Sequence, residues 1–216
     1  MAGHYYPGGA SRRPPARPAA VRSAEGWRAV KATGIVRRID DLGRIVIPIE
    51  IRRDMNIRDG DPLEIFVDKN GEVILKKYSA IAELGPFAQG LVNSLQETTG
   101  CMALLTDRDA VVAVAGGNER QYVGRRVGPA VLRAMDNRET VLSGAGGEAE
   151  RAPALEAGPG GSPAAFPAEV VAPVVVGGDP VGAVVLAALD PSVTFGELEQ
   201  KLTQTAAGFL ARHMQE

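Results

Sequence analysis

The side chains best placed to do chemistry lie between positions 31 and 53: Lys31, Arg37, Arg38, Arg44, Arg52 and Arg53, set among short β-branched runs. An arginine guanidinium is a planar fork that donates paired hydrogen bonds, which suits phosphate oxygens and base edges. The competing use of such cations is to solvate surface faces opposite nearby acids. Composition alone leaves both uses open. Other candidates for chemistry are thin. Cys101 is the sole cysteine, so no intrachain disulfide or cysteine-rich zinc site can form. A resolving thiol is missing too, and a buried strand cysteine is the expected role. His4 and His213 are far apart in sequence and make neither a metal site nor a triad with Cys101. Asp40 and Asp41 are expected to shape a turn and orient neighbouring arginines. Gly116-Gly117 and Gly146-Gly147 lack the Lys-Ser/Thr of a phosphate-binding loop. We therefore expect no enzyme, no cofactor and no metal.

The elements that must hold the arginines read as follows. Gly34 to Ile39 and Arg44 to Ile47 are predicted strands around the tight connection Asp40-Asp41-Leu42-Gly43. Arg38 and Asp40 would then share one strand face, and Arg37 and Ile39 the other. Pro48 suits the first position of a short helix to Met55, because its missing N–H has no partner to lose there. Leu63 to Asp68 and Glu72 to Tyr78 form a hairpin across Lys69-Asn70-Gly71. This first unit, 30–79, is too small for a core of its own, so an obligate dimer sharing one core is expected.

The remainder, 80–216, reads as helix, two strands, helix, loop, two strands, helix. Leu84, Phe87, Leu91 and Leu95 give a helical stripe over 80–99. Cys101 to Thr106 pairs with Ala110 to Ala115, a helix covers 128–137, and Val170 to Val176 pairs with Val181 to Leu189. Phe195, Leu198, Leu202, Ala206 and Phe209 mark a long final helix. Residues 143–168, rich in Gly, Ala and Pro, are predicted to be a mobile loop. Residues 1–29 are rich in Pro, Gly, Ala and Arg and are expected to be a disordered tail or a basic arm. A third expectation is that translation starts at Val30 and that 1–29 is a gene-model extension.

Charge divides the chain unevenly: 1–29 carries +4, 30–79 carries +1 and 80–216 carries −7, giving the overall −2. The acidic second half is a poor nucleic-acid surface, so any such binding belongs to the first. No apolar run approaches the roughly 18 residues of a membrane span, and a cytoplasmic, nucleoid-associated protein is expected.

The stretch Lys31-Ala-Thr-Gly-Ile-Val-Arg-Arg-Ile-Asp-Asp-Leu-Gly-Arg-Ile-Val-Ile-Pro48, followed by Glu50-Ile-Arg-Arg53, Leu63 to Asp68 and Val73 to Tyr78, resembles the swapped-hairpin DNA-binding domain of AbrB-type transition-state regulators. That family commonly has lysine where this chain has Ile49. The likeness continues through Tyr78-Ser-Ala-Ile-Ala-Glu-Leu-Gly85, Gly178-Asp-Pro-Val-Gly182 and Thr205 to Met214. There the chain is similar to sporulation regulators in which an AbrB-type head precedes a GAF domain. The resemblance implies an α+β chain: an N-terminal swapped-hairpin β-barrel for dimerisation and DNA binding, then a GAF-like antiparallel sheet flanked by helices. It implies DNA contacts by Arg37, Arg44, Arg52 and Arg53, with Lys31 and Arg38 on phosphates. It also implies a role in late gene expression in the forespore. The partners expected are double-stranded DNA, a second chain at the head, a tetramer through the second domain, and an unidentified small-molecule effector. The alternative is an antitoxin-like or other protein-interaction module using the same head.

Overall fold

The computed structural model describes residues 33–144, 152–158 and 162–215. The expectations for the tail, for Val30 and for Lys31 fall outside them. By compactness the chain divides at Ile49/Glu50, so the hairpin after Glu50 packs within the same unit as everything that follows.

The first unit is described over 33–49. Its ordered feature is the turn at 40–44. Asp40 N–H donates to the Arg44 carbonyl at 3.1 Å, Gly43 N–H donates to the Asp40 carbonyl at 3.0 Å, and Gly43 takes φ 75°. The positive φ explains the glycine. The flanking segments, predicted as strands, form no ladder among the described residues. Arg37/Arg38 alternation across a pleat therefore does not apply here. A strand is defined by the backbone partners it finds, and within this chain the two segments meet only at the turn. Their apolar side chains stand in solvent, with Val36 86 % and Val46 73 % exposed.

Helix α1 (Ile49–Asp54) starts directly after the buried Pro48, and all but its first residue belong to the second unit. Strands β1 (Leu63–Val67) and β2 (Val73–Lys77) form an antiparallel hairpin with Leu63 opposite Lys77. Its loop is closed by Asp68, whose Oδ1 accepts the N–H groups of Asn70 and Glu72 at 2.9 and 2.8 Å. The predicted helix over 80–99 is two helices, α2 (Ala80–Glu83) and α3 (Pro86–Thr99), because Gly85 turns the backbone to φ 43° and Pro86 restarts it.

The main sheet has five antiparallel strands in the order β4-β3-β7-β6-β5: β3 is Met102–Asp107, β4 Val111–Ala115, β5 Val141–Ser143, β6 Ala168–Val176 and β7 Asp179–Ala188. Helices α4 (Glu119–Tyr122) and α5 (Pro129–Asn137) lie between β4 and β5, and α6 (Glu197–His213) closes the chain. Side chains alternate across the sheet. Leu105, Val184 and Leu186 join Ile81, Val92 and Leu210 on the α3/α6 face. Leu104 and Val185 join Val131, Met135, Leu155 and Phe166 on the α5 face. Gly182 lets the Thr106 carbonyl and the Ile81 side chain approach β7 closely, leaving no room for a Cβ.

The described parts of 143–168 are anchored rather than loose. Leu155 is buried and bridges to Val127 and Ala164, and Arg125 donates to the Glu156 and Ser162 carbonyls at 2.7 and 2.5 Å. One buried leucine and one arginine fork supply the order that the Gly/Ala/Pro composition conceals. His213, for which the sequence offers no partner, stacks on Phe87 with ring centroids 4.3 Å apart.

Candidate nucleic-acid interface

The arginines fall into two groups. Arg37, Arg38 and Arg44 flank the 40–44 turn, and all three are exposed. Asp40 Oδ1 accepts the N–H groups of Leu42 and Arg44 at 3.0 and 2.8 Å, while Oδ2 accepts from Arg44 Nε at 2.8 Å. The Arg44 N–H, and after it the Arg44 guanidinium, hold the Asp40 carboxyl below the usual carboxylate range. Asp40 thus performs the turn-shaping role expected of it and also aims Arg44. No such restraint acts on Arg37 or Arg38, which make no side-chain ion pair among the described residues.

Arg52 and Arg53 occupy the last turn of α1, where cations complement the helix carbonyl end. Their environments differ. Arg53 is exposed and makes no side-chain ion pair among the described residues. Arg52 is two-thirds covered and pairs with Asp59 at 2.5 Å, and its Nε is buried with no hydrogen-bond partner among the described residues. Arg52 is therefore committed to holding the chain after α1, and an incoming phosphate would have to compete with Asp59.

A second polar cluster escaped the reading of the sequence. Lys77, at the end of β2, donates to the Asn56 carbonyl at 2.8 Å and lies 3.1 Å from Asp61 Oδ2 and 2.5 Å from Asp109 Oδ2. Asn56 Nδ2 donates to Asp109 Oδ1 at 2.7 Å. The Asp61 side chain is only 4 % exposed. Burial would raise its carboxyl, but the Arg58 N–H and the Lys77 ammonium outweigh that and hold it below the usual carboxylate range. The cluster ties the hairpin to the β3–β4 turn. Its sequence signal is two acid-bearing turns, Asp59-Gly60-Asp61 and Asp107-Arg108-Asp109, whose common cation is far from both in the chain.

Cys101 is half-buried, and burial followed by the nearby Glu199 pushes its thiol pKa up. A thiol kept protonated is a poor nucleophile. Among the described residues no group of three His, Cys, Asp or Glu side chains is placed to hold a metal ion. None of the described helices is long and apolar enough to cross a membrane.

Comparison with known proteins places this geometry. The family profile described as "Stage V sporulation protein T C-terminal, transcription factor" matches residues 83–215. A second profile, "Antidote-toxin recognition MazE, bacterial antitoxin", matches 36–82. Stage V sporulation protein T of Bacillus subtilis is 47 % identical over 87 % of this chain and all of its own length. The transition state regulatory protein AbrB of the same organism is 59 % identical over 23 % of this chain and half of its own length. Among solved structures, the GAF domain of an Acinetobacter phosphoenolpyruvate-protein phosphotransferase overlays with a TM-score of 0.49 at 15 % identity, covering 76 % of this chain and 88 % of that one. The relative that is 47 % identical over 87 % of this chain takes in both the arginine-bearing head and the sheet domain, and the C-terminal profile matches more than half of the chain: this protein belongs to the stage V sporulation protein T family.

Proposed function

We propose that the protein is a DNA-binding transcriptional regulator of sporulation, acting in late forespore gene expression in the cytoplasm and on the nucleoid. The observation that carries this reading is the family likeness across both halves of the chain, joined to a head whose Arg37, Arg38 and Arg53 stand exposed and make no ion pair among the described residues. These three would meet DNA first. Arg44 follows, pre-aimed by Asp40, and Arg52 contributes only on leaving Asp59. Lys31 and Arg38 take phosphate positions. The head acts as a homodimer. The exposed Val36, Ile39, Ile45 and Val46 are the apolar complement that a second copy would cover. Two such dimers join through the C-terminal domain, where Leu198 and Phe209 on α6 are 67 % and 54 % exposed. Linking two heads in this way raises avidity without new contacts. We read the chain as non-catalytic.

A second reading, a protein-interaction module of the antitoxin kind, is favoured by the profile match over 36–82. One experiment separates the two. Light-scattering mass of the full chain is measured alone and with a duplex, for the native protein and for Arg37→Ala/Arg53→Ala. The regulator reading expects a tetramer that shifts mass with DNA, and a double variant that keeps its mass but loses the shift. A chain that ignores DNA at low salt overturns it.

A further inference from the structure

Beside the Lys77 cluster lies a cavity of about 430 Å³. One wall comes from the segment after α1 and from β2, through Met55, Arg58 and Lys76. The other comes from Arg126, Val127 and Leu132. The volume is in the range of small-molecule sites, and the lining is mostly polar, eight polar or charged residues beside an apolar patch of Met55, Val127 and Leu132. Its charges do not cancel. Asp109 is answered by Lys77 and Asn56. Asp107 Oδ1 accepts the N–H groups of Asp109 and Ala110, both at 2.8 Å, and keeps its charge. That leaves Arg58, Lys76 and Arg126 against the carboxylates of Asp107 and Glu156, none of the five with an ion pair among the described residues, an excess of one cation. An excess of positive charge on a concave, partly apolar surface favours a counter-charge.

We propose that this cavity binds a small organic anion: one carboxylate or phosphate head, held by Arg58, Lys76 and Arg126, on a compact apolar body resting against Met55, Val127 and Leu132. Because the cations come from both walls, the bound anion cross-links the hairpin to the sheet domain and reinforces the Lys77–Asp109 link. Occupancy of the cavity is independent of what the head binds. Its regulatory consequence, a fixed orientation of the hairpin, rests on the DNA-binding reading above.

The test is calorimetric titration of the full chain with phenyl phosphate, benzoate, inorganic phosphate and neutral benzyl alcohol. At least one aromatic anion is expected to bind saturably at one site per chain, and the one that binds identifies the head group. Benzyl alcohol should not bind. Arg126→Gln and Lys76→Gln should each weaken binding at least about 10-fold, the loss of one charge-assisted hydrogen bond. Leu132→Phe, which fills the cavity without altering charge, should weaken it too, with circular dichroism confirming that each variant is folded. The proposal is overturned if neither aromatic anion binds, or if inorganic phosphate binds as well as they do. Binding that is lost in Arg53→Ala but retained in Arg126→Gln also overturns it, by moving the anion to the DNA arginines. A duplex titration run alongside keeps the two readings apart: lost DNA binding with intact anion binding strikes the regulator reading alone.

Discussion

The salt dependence of DNA binding follows from which arginines are free. Each phosphate neutralised by a protein cation releases condensed counterions, so log K falls with log[salt] at about −0.9 per contact on B-DNA. Arg37, Arg38 and Arg53 are exposed and make no ion pair among the described residues, whereas Arg44 is engaged by Asp40 and Arg52 by Asp59. Leaving Lys31 aside, a dimer presenting only these three arginines of each chain makes six contacts, for a slope of about −5. If Arg44 and Arg52 leave their carboxylates and join, ten contacts steepen it to about −9. The perturbation is Arg53→Ala, which removes two contacts per dimer and should flatten the slope to about −4. The assay is fluorescence anisotropy of a labelled duplex between 50 and 200 mM salt, over which the native protein should lose roughly 10³-fold in affinity. A native slope shallower than about −2, or a slope that Arg53→Ala leaves unchanged, refutes the assignment of these arginines to phosphates.

Four further outcomes are expected. Asp61→Asn removes a carboxylate bonded to the Arg58 N–H and Lys77, and should cost about 2 kcal/mol in urea unfolding. Because the folded Asp61 pKa is depressed, its contribution is complete above the unfolded value and fades as pH falls through the folded one, so the native protein should lose it only in acid while Asp61→Asn shows no such step. Gly182→Ala forces a Cβ against the Thr106 carbonyl and Ile81, and should lower stability by about 1–3 kcal/mol, read as a drop in Tm. Phe209→Glu should dissociate the proposed tetramer into dimers by light scattering while the far-ultraviolet spectrum stays native. Cys101 should alkylate more slowly than a free thiol at neutral pH, because its raised pKa lowers the thiolate fraction, and urea should restore the ordinary rate.

The helices and central strands were legible where one chain segment carries its own signal. The stripes of α3 and α6 follow helical spacing, and β6 and β7 are near-continuous apolar runs rich in valine and alanine because both sheet faces are covered by helices or packed loop. What the sequence did not reveal depends on distant partners. Strand β5 is three residues long and exists because Val141 to Ser143 find Val171 to Glu169. Helix α4 is hidden for a local reason instead: it spans four residues, too few to show a stripe, and is capped by the Asn118 side chain, which accepts from the Arg120 N–H at 3.1 Å. The segments 34–39 and 44–47 carry strand-like composition without a ladder, since composition states a preference and pairing decides the outcome. In the candidate site, the arginines were visible by type and spacing. Their availability was not, because Asp59 and Asp40 had to be placed in space before Arg52 and Arg44 could be discounted.

The apolar side chains standing in water along 35–46, together with Ile65, Val67 and Val73 on the hairpin, bear on dosage. A fold that leaves such surface uncovered in the single chain, and buries it on self-association, gains stability by mass action. Its melting temperature then rises with protein concentration, and dilution weakens the fold and the DNA contact together. Expression level would set both how much regulator is present and how sound each copy is, so that a cell at low copy number holds a protein cleared by proteolysis sooner than one in which it is abundant.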